Sequence, residues 1–206
     1  MPLRFSQDIK SLLERLANQP LTIGDILAET EERGFSLVIA LLVLPFLFPI
    51  PPGLTGVPGA CCVILGAQMA LGRRSPWLPQ KIARFRFPRW FILQLLQNLR
   101  KVTRVVEKIA RPRLLGLAES PHIWRLNGSC ICWLGLLLIS PVPFTNPIPA
   151  VGILLLAVAT LEADGLLMCI GYAATALITL FFGFIVYALW QAPSLIPNIF
   201  GSLGQN

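Results

Sequence analysis

Six polar side chains interrupt an apolar sequence where they could bind a ligand: Thr55, Gln68, Thr145, Asn146, Glu162 and Asp164. Thr55 lies in the stretch Pro49-Ile50-Pro51-Pro52-Gly53-Leu54-Thr55-Gly56-Val57-Pro58-Gly59. Thr145 and Asn146 lie in Pro141-Val142-Pro143-Phe144-Thr145-Asn146-Pro147-Ile148-Pro149. Hydroxyl and carboxamide groups at such breaks suit a polar ligand held beside helix ends, whose dipoles add partial charge. They would equally satisfy the loose backbone of the breaks. Gln68 is the strongly polar side chain of the Ala60–Gly72 run; a hydrogen bond across helices is its commoner role, a ligand contact the other. Glu162 and Asp164 are costly at membrane depth, which suits a proton or cation site. Asp164 is better explained as the N-cap of the helix that follows it, with Gly165 next. Arg73 and Arg74, with Arg100, Lys101 and Arg104, are candidates to contact an anionic lipid or a saccharide phosphate.

Other chemistries find no residues. There is no Gly-rich phosphate loop, nucleophile elbow or carboxylate pair with a nearby base, so no enzyme and no cofactor are expected. The cysteines, Cys61, Cys62, Cys130, Cys132 and Cys169, all lie in apolar stretches, as small buried residues do. Cys130 and Cys132 would point to different sides of a helix and lack further ligands, so no metal is expected either. Glu107 with Arg111 reads as a helix pair, and His122 is given no role.

The elements that must position these groups are apolar helices. Hydrophobic residues make up 55% of the 206 and charged ones 13%, with a mean hydropathy of +0.70. A bilayer is the natural solvent for such a chain. The net charge of +7 is concentrated: residues 73–125 hold 13 of the 17 Lys and Arg. That bias places them in the cytoplasm, and explains the charge better than nucleic acid does.

The uncharged run Phe35–Phe48 meets the first break and resumes as Ala60–Gly72; Gly128–Ser140 meets the second and resumes as Ala150–Leu161. Each run makes about 20 Å of helix, too short to cross a hydrocarbon core of about 30 Å alone. Pro49-Ile50-Pro51 matches Pro141-Val142-Pro143, and Pro58 matches Pro149, so the design is an internal repeat. In that alignment Arg73 falls opposite Asp164. Basic against acidic ends favours an inverted repeat of two broken crossing helices; two re-entrant hairpins returning to one side are the alternative.

Ile92, Leu95, Leu99, Val102, Val106 and Ile109 recur at helical spacing between the repeats, beside Arg100, Lys101, Arg104, Lys108 and Arg111. This is a basic amphipathic helix suited to an anionic leaflet, with Trp77 and Trp90 as interfacial anchors. Ile9, Leu12, Leu13 and Leu16 share one helical face near the start, and Thr22 to Gly34 reads as a second surface helix. Met1 to Gln19 lacks the apolar core of a signal peptide. Leu166–Trp190, 25 residues without charge, is the one unambiguous spanning helix, ended by Pro193 and Pro197. The expected fold is an all-α integral membrane protein in one domain, 1–206. Repeat 1 covers about 1–80, the basic link about 81–113 and repeat 2 about 114–192, by the apolar periodicity.

Several of these stretches resemble the ExoD family of bacterial exopolysaccharide-synthesis membrane proteins. They are Phe48-Pro49-Ile50-Pro51-Pro52-Gly53 with Gly56-Val57-Pro58-Gly59, and Gln68-x3-Gly72 followed by Pro76-Trp77-Leu78-Pro79. Glu107-x3-Arg111-Pro112-Arg113-Leu114 and Pro141-Val142-Pro143-Phe144 follow, with Asn146, Pro149 and Leu161-Glu162-x-Asp164-Gly165. Thr145 stands where a smaller residue such as Gly is expected. The resemblance implies a multi-pass protein of the bacterial plasma (inner) membrane linked to exopolysaccharide production, and supplies no catalytic residues. Its partners would be the bilayer, anionic lipids, exopolysaccharide-synthesis proteins and, given its small size, a second copy. Two roles fit: a transport-like protein with a polar site at the breaks, or a non-catalytic scaffold or regulator of the machinery.

Overall fold

Prolines start helices here as well as stopping them. The computed structural model describes residues 34–47, 56–74, 76, 77, 79, 120–140 and 145–203, and every regular element among them is helical. Helix α1 is Gly34–Val43, continued by a 3₁₀ turn, Leu44–Leu47. Helix α2 is Gly56–Ala70, with Pro58 in its first turn. Helix α3 is Pro121–Ile139, α4 is Pro147–Glu162 and α5 is Gly165–Leu203. First-turn prolines cost nothing in hydrogen bonds, because the first N–H groups of a helix have no partner within it. The N-terminal surface helices, the basic link and the breaks at 48–55 and 141–144 lie outside the described residues.

Helices α3 and α5 extend furthest beyond their apolar runs. Helix α3 begins seven residues before Gly128, because Pro121 opens it and His122 to Asn127 continue the helix despite their polarity. At 19 residues it joins the stretch 165–188 as a second helix long and apolar enough to cross a membrane. Helix α5 passes through Pro193 and Pro197 instead of ending there. Four residues apart, the two prolines remove ladder bonds from one side of the helix only.

Packing centres on α1 and α4. The side chains of residues 35–43 are all buried, and α4 buries Ala150, Ile153, Leu156, Ala157 and Leu161 between α1, α3 and α5. The most extensive contact is α2 on α3, where backbones nearly touch. A Cβ on Gly66 would sit 2.6 Å from the Cys132 amide nitrogen, and one on Gly128 2.4 Å from that of Ala70. Gly59 meets Ile139 and Gly135 meets Val63 along the same line. Rising positions on α2 therefore meet falling positions on α3, and the helices are antiparallel. Small residues permit this approach where dispersion, not water exclusion, is the attraction.

The other contacts fix the remaining directions. Gly152 of α4 faces Leu134 of α3, and the Asn127 carboxamide donates to Thr160 Oγ1 at 3.0 Å, so α3 and α4 are antiparallel. Phe35, at the start of α1, meets Trp124 in the first turns of α3 edge to face, ring centroids 5.9 Å apart. Both units thus begin and finish at the same end of the bundle. The opposed sense expected from Arg73 against Asp164 is not what these contacts give.

The repeat itself is written in the helix ends. After α2, Gly72 (φ 83) turns left-handed, its N–H bonding Met69 O and the Arg73 N–H bonding Gln68 O. After α4, Ala163 (φ 53) turns left-handed and the Asp164 N–H bonds Ala159 O. These are the same helix-ending motif at aligned positions.

Two predictions follow from packing and from the left-handed turns. Gly128→Ala should lower stability by about 1–3 kcal/mol, since its Cβ meets backbone that cannot yield. Gly183→Ala, where a Cβ meets nothing within 4 Å, should be neutral or stabilising by up to about 1 kcal/mol. Thermal unfolding in detergent micelles separates the pair, and equal midpoints would contradict the close-approach account. Ala163→Gly should raise the midpoint, worth about 1 kcal/mol, by relieving the left-handed strain.

Candidate functional site

The flanks of both proline breaks meet at one end of the bundle. Gly59, just after the first break, lies against Ile139, just before the second, and the Leu44–Leu47 turn packs on α4. Helix α4 starts in this corner. Asn146 occupies its cap position with helical backbone (φ −52, ψ −38), and its side chain makes no capping bond. Backbone groups close the first turn instead: the Ile148 N–H bonds Thr145 O at 3.0 Å and the Ala150 N–H bonds Asn146 O at 3.3 Å. Thr145 is buried and Asn146 half-buried. Thr55 lies outside the described residues.

The other candidates occupy the opposite end, about 24 Å away along the 16 residues of α4. Gln68 is buried, and its carboxamide donates to Trp77 O while its Oε1 accepts from the Trp77 N–H at 2.8 Å. It braces the turn after α2 instead of bridging to another helix. Asp164 is 1% exposed, and its Oδ1 accepts from the amides of Leu166 and Leu167, both at 3.1 Å. It is therefore the N-cap of α5, the role the sequence favoured. Glu162, buried, is the last residue of α4. Arg73 and Arg74, in the turn after α2, are exposed. Arg100, Lys101 and Arg104 lie outside the described residues. The six ligand candidates thus do not form one site: Thr145 and Asn146 stand at the break end, while Gln68, Glu162 and Asp164 stand at the charged end.

A buried polar junction escaped the sequence reading. Asn127 of α3 is fully buried. Its carboxamide donates to Thr160 of α4, and its Oδ1 accepts from the Tyr172 hydroxyl of α5. Thr160 completes the chain by donating to Leu156 O at 2.7 Å. Three helices are joined through one amide with donor and acceptor both used, which is how a buried carboxamide avoids a desolvation penalty. The available signal was Asn127 itself, an amide entering an apolar run. Among the described residues no group of three metal-ligating side chains occurs.

Residues 5–184 match the family described as "Exopolysaccharide synthesis, ExoD". The chain is 32% identical over 205 residues to Protein ExoD of Rhizobium meliloti (strain 1021), covering 96% of this chain and 84% of that protein. It is 26% identical over 202 residues to an uncharacterized protein of Synechocystis sp., covering 95% of this chain and 93% of that one. No solved structure gives a significant match.

The geometry at Asp164 separates charge from capping. Asp164→Asn keeps an oxygen for the Leu166 and Leu167 amides, and should stay within a few tenths of a kcal/mol of the parent, roughly the measurement error. Asp164→Ala should lose about 1 kcal/mol, read as a lower thermal midpoint. Equal losses in both variants would show that the charge, and not the cap, is what this position needs.

Proposed function

The chain belongs to the ExoD family of exopolysaccharide-synthesis proteins, and on that premise we propose that it is a multi-pass plasma-membrane protein holding a polar ligand where its proline breaks meet. One observation carries this reading: the Asn146 carboxamide stands at the start of the central helix, beside both breaks, without serving as the cap of that helix. A carboxamide donates and accepts at once, the pattern that sugar hydroxyls present. The start of α4 adds partial positive charge. Thr145 is the neighbouring hydroxyl, and Thr55 belongs to the other break in the sequence. The role is transport-like and non-catalytic: the site binds and releases a saccharide-bearing or lipid-linked species during synthesis or export.

Support for the membrane setting comes from the outer face of α5. Leu177, Leu180, Phe184, Val186 and Trp190 are all more than 60% exposed, a surface that lipid would cover. The reading includes a homodimer. Cys169, Ala173 and Ala176 form an exposed stripe of small residues at three-and-four spacing on α5, suited to a second copy. The rival reading is a scaffold that docks exopolysaccharide-synthesis proteins. Its motivation is the basic amphipathic link at 81–113.

The test is complementation of a bacterial strain deleted for its own family member, with variants checked for equal abundance in the membrane fraction. Asn146→Ala and Thr145→Val should each cut exopolysaccharide output by about fivefold or more, the effect of losing a ligand hydrogen bond of about 1 kcal/mol. Full output from both variants would exclude the binding role. If only deletion of the 81–113 link abolished output, the scaffold reading would stand in its place.

A further inference from the structure

Three arginines from two distant stretches share one corner at the charged end of the bundle. Arg73 and Arg74 follow α2, Arg125 lies in the second turn of α3, and all three are exposed. The corner is built, not incidental. The Trp124 indole N–H donates to Arg73 O at 3.1 Å, across 51 residues of sequence. The guanidinium of Arg125 lies over Gly72, with Nε 3.1 Å and Nη2 3.3 Å from where a Cβ would stand. Gln68 clamps the Trp77 backbone and closes the turn that carries Arg73 and Arg74. Phe35 packs edge-on against Trp124 and holds the brace from behind.

Like charges gathered at one corner repel, and a shared anion lowers that cost. Guanidinium forks match phosphate oxygens, and the one whose place is set by packing, Arg125 over Gly72, loses less side-chain freedom on binding. Trp77 is 60% exposed beside them, an aromatic at the level where tryptophans meet lipid headgroups. The corner also sits at the end of α3, one of the helices long enough to cross a membrane.

We propose that Arg73, Arg74 and Arg125, flanked by Trp77 and Trp124, form a headgroup site for an anionic phospholipid. This inference rests on the membrane-crossing reading of α3 and α5, but on neither Asn146 nor the proline breaks. It concerns the opposite end of the molecule.

The test uses the full chain purified in a neutral detergent, with native mass spectrometry counting lipid retained from added phosphatidylglycerol or phosphatidylcholine. Wild-type protein should retain phosphatidylglycerol in preference to phosphatidylcholine. Arg125→Gln, and separately Arg73→Gln with Arg74→Gln, should each weaken that retention about tenfold, with helical content and thermal midpoint unchanged. The second variant alters only exposed turn residues, so the test survives a misfolded Arg125→Gln. Arg125→Lys should restore part of the binding, because a point charge replaces the fork. Wild-type retention in both Gln variants would overturn the proposal, as would equal retention of phosphatidylcholine. So would displacement of the lipid by inorganic phosphate at equal concentration, which would mark a site for a free anion. Recovery of the chain in the aqueous fraction, seen before any lipid is added, would instead defeat the membrane reading itself.

Discussion

The close antiparallel contact of α2 with α3 determines where everything else can be. Gly59, Gly66, Gly128 and Gly135 bring two backbones within van der Waals reach over about three helical turns. Gly66 and Gly128 meet main chain directly, and main chain cannot move aside as a side chain can. The register is therefore set without charge or hydrogen bonding. Once it is set, the residues after the first break must lie beside those before the second, and the turn after α2 must lie beside the start of α3. The division into a break end and an arginine end is a consequence of that one register.

The second unit repeats the first with different chemistry at matching points. Each unit sends its second arm back after a proline break and ends it with a left-handed residue, Gly72 in one and Ala163 in the other. The next residue is Arg73 in the first unit and Asp164 in the second. The arms are exchanged in packing: α2 lies on α3, and α4 lies on α1. Contacts within a unit, such as Gly152 of α4 on Leu134 of α3, cover only part of its apolar surface, and α1 is covered by the arms around it. Two short helices that could not cross a bilayer alone become the interior of a bundle, where packing and neighbouring elements replace what lipid cannot supply.

Much of this was legible in the sequence, and the failures have physical causes. The apolar runs, the breaks and the repeat are local patterns, and all five helices arise where such patterns stand. The direction of the repeat is not local. Its sequence clue was the acidic Asp164 opposite the basic Arg73, read as marking a side of the membrane. Asp164 instead points its carboxylate at the first amides of α5, so its charge answers a helix end. The start of α3 was missed because His122, Arg125 and Asn127 look like loop by composition. Asn127 is nonetheless fully buried, its cost met by Thr160 and Tyr172 on two other helices. No inspection of one segment shows a partner 33 or 45 residues away.

The two ends of the bundle are stabilised by different forces, and this bears on where a ligand can be held. Toward the charged end, polar groups are engaged with one another: Gln68 with Trp77, Trp124 with Arg73, Asn127 with Thr160 and Tyr172, Asp164 with the α5 amides. Those side chains already have their partners, so a ligand there would have to displace bonds of about equal strength. Arg73, Arg74 and Arg125 at that end are exposed at the surface instead. At the break end the contact of Gly59 with Ile139 is apolar packing, and backbone bonds to Thr145 O and Asn146 O close the first turn of α4. The Asn146 side chain is not consumed in holding the helix start. A polar ligand held there would exchange hydration for a carboxamide without breaking the capping of α4, and the proposed site rests on that asymmetry.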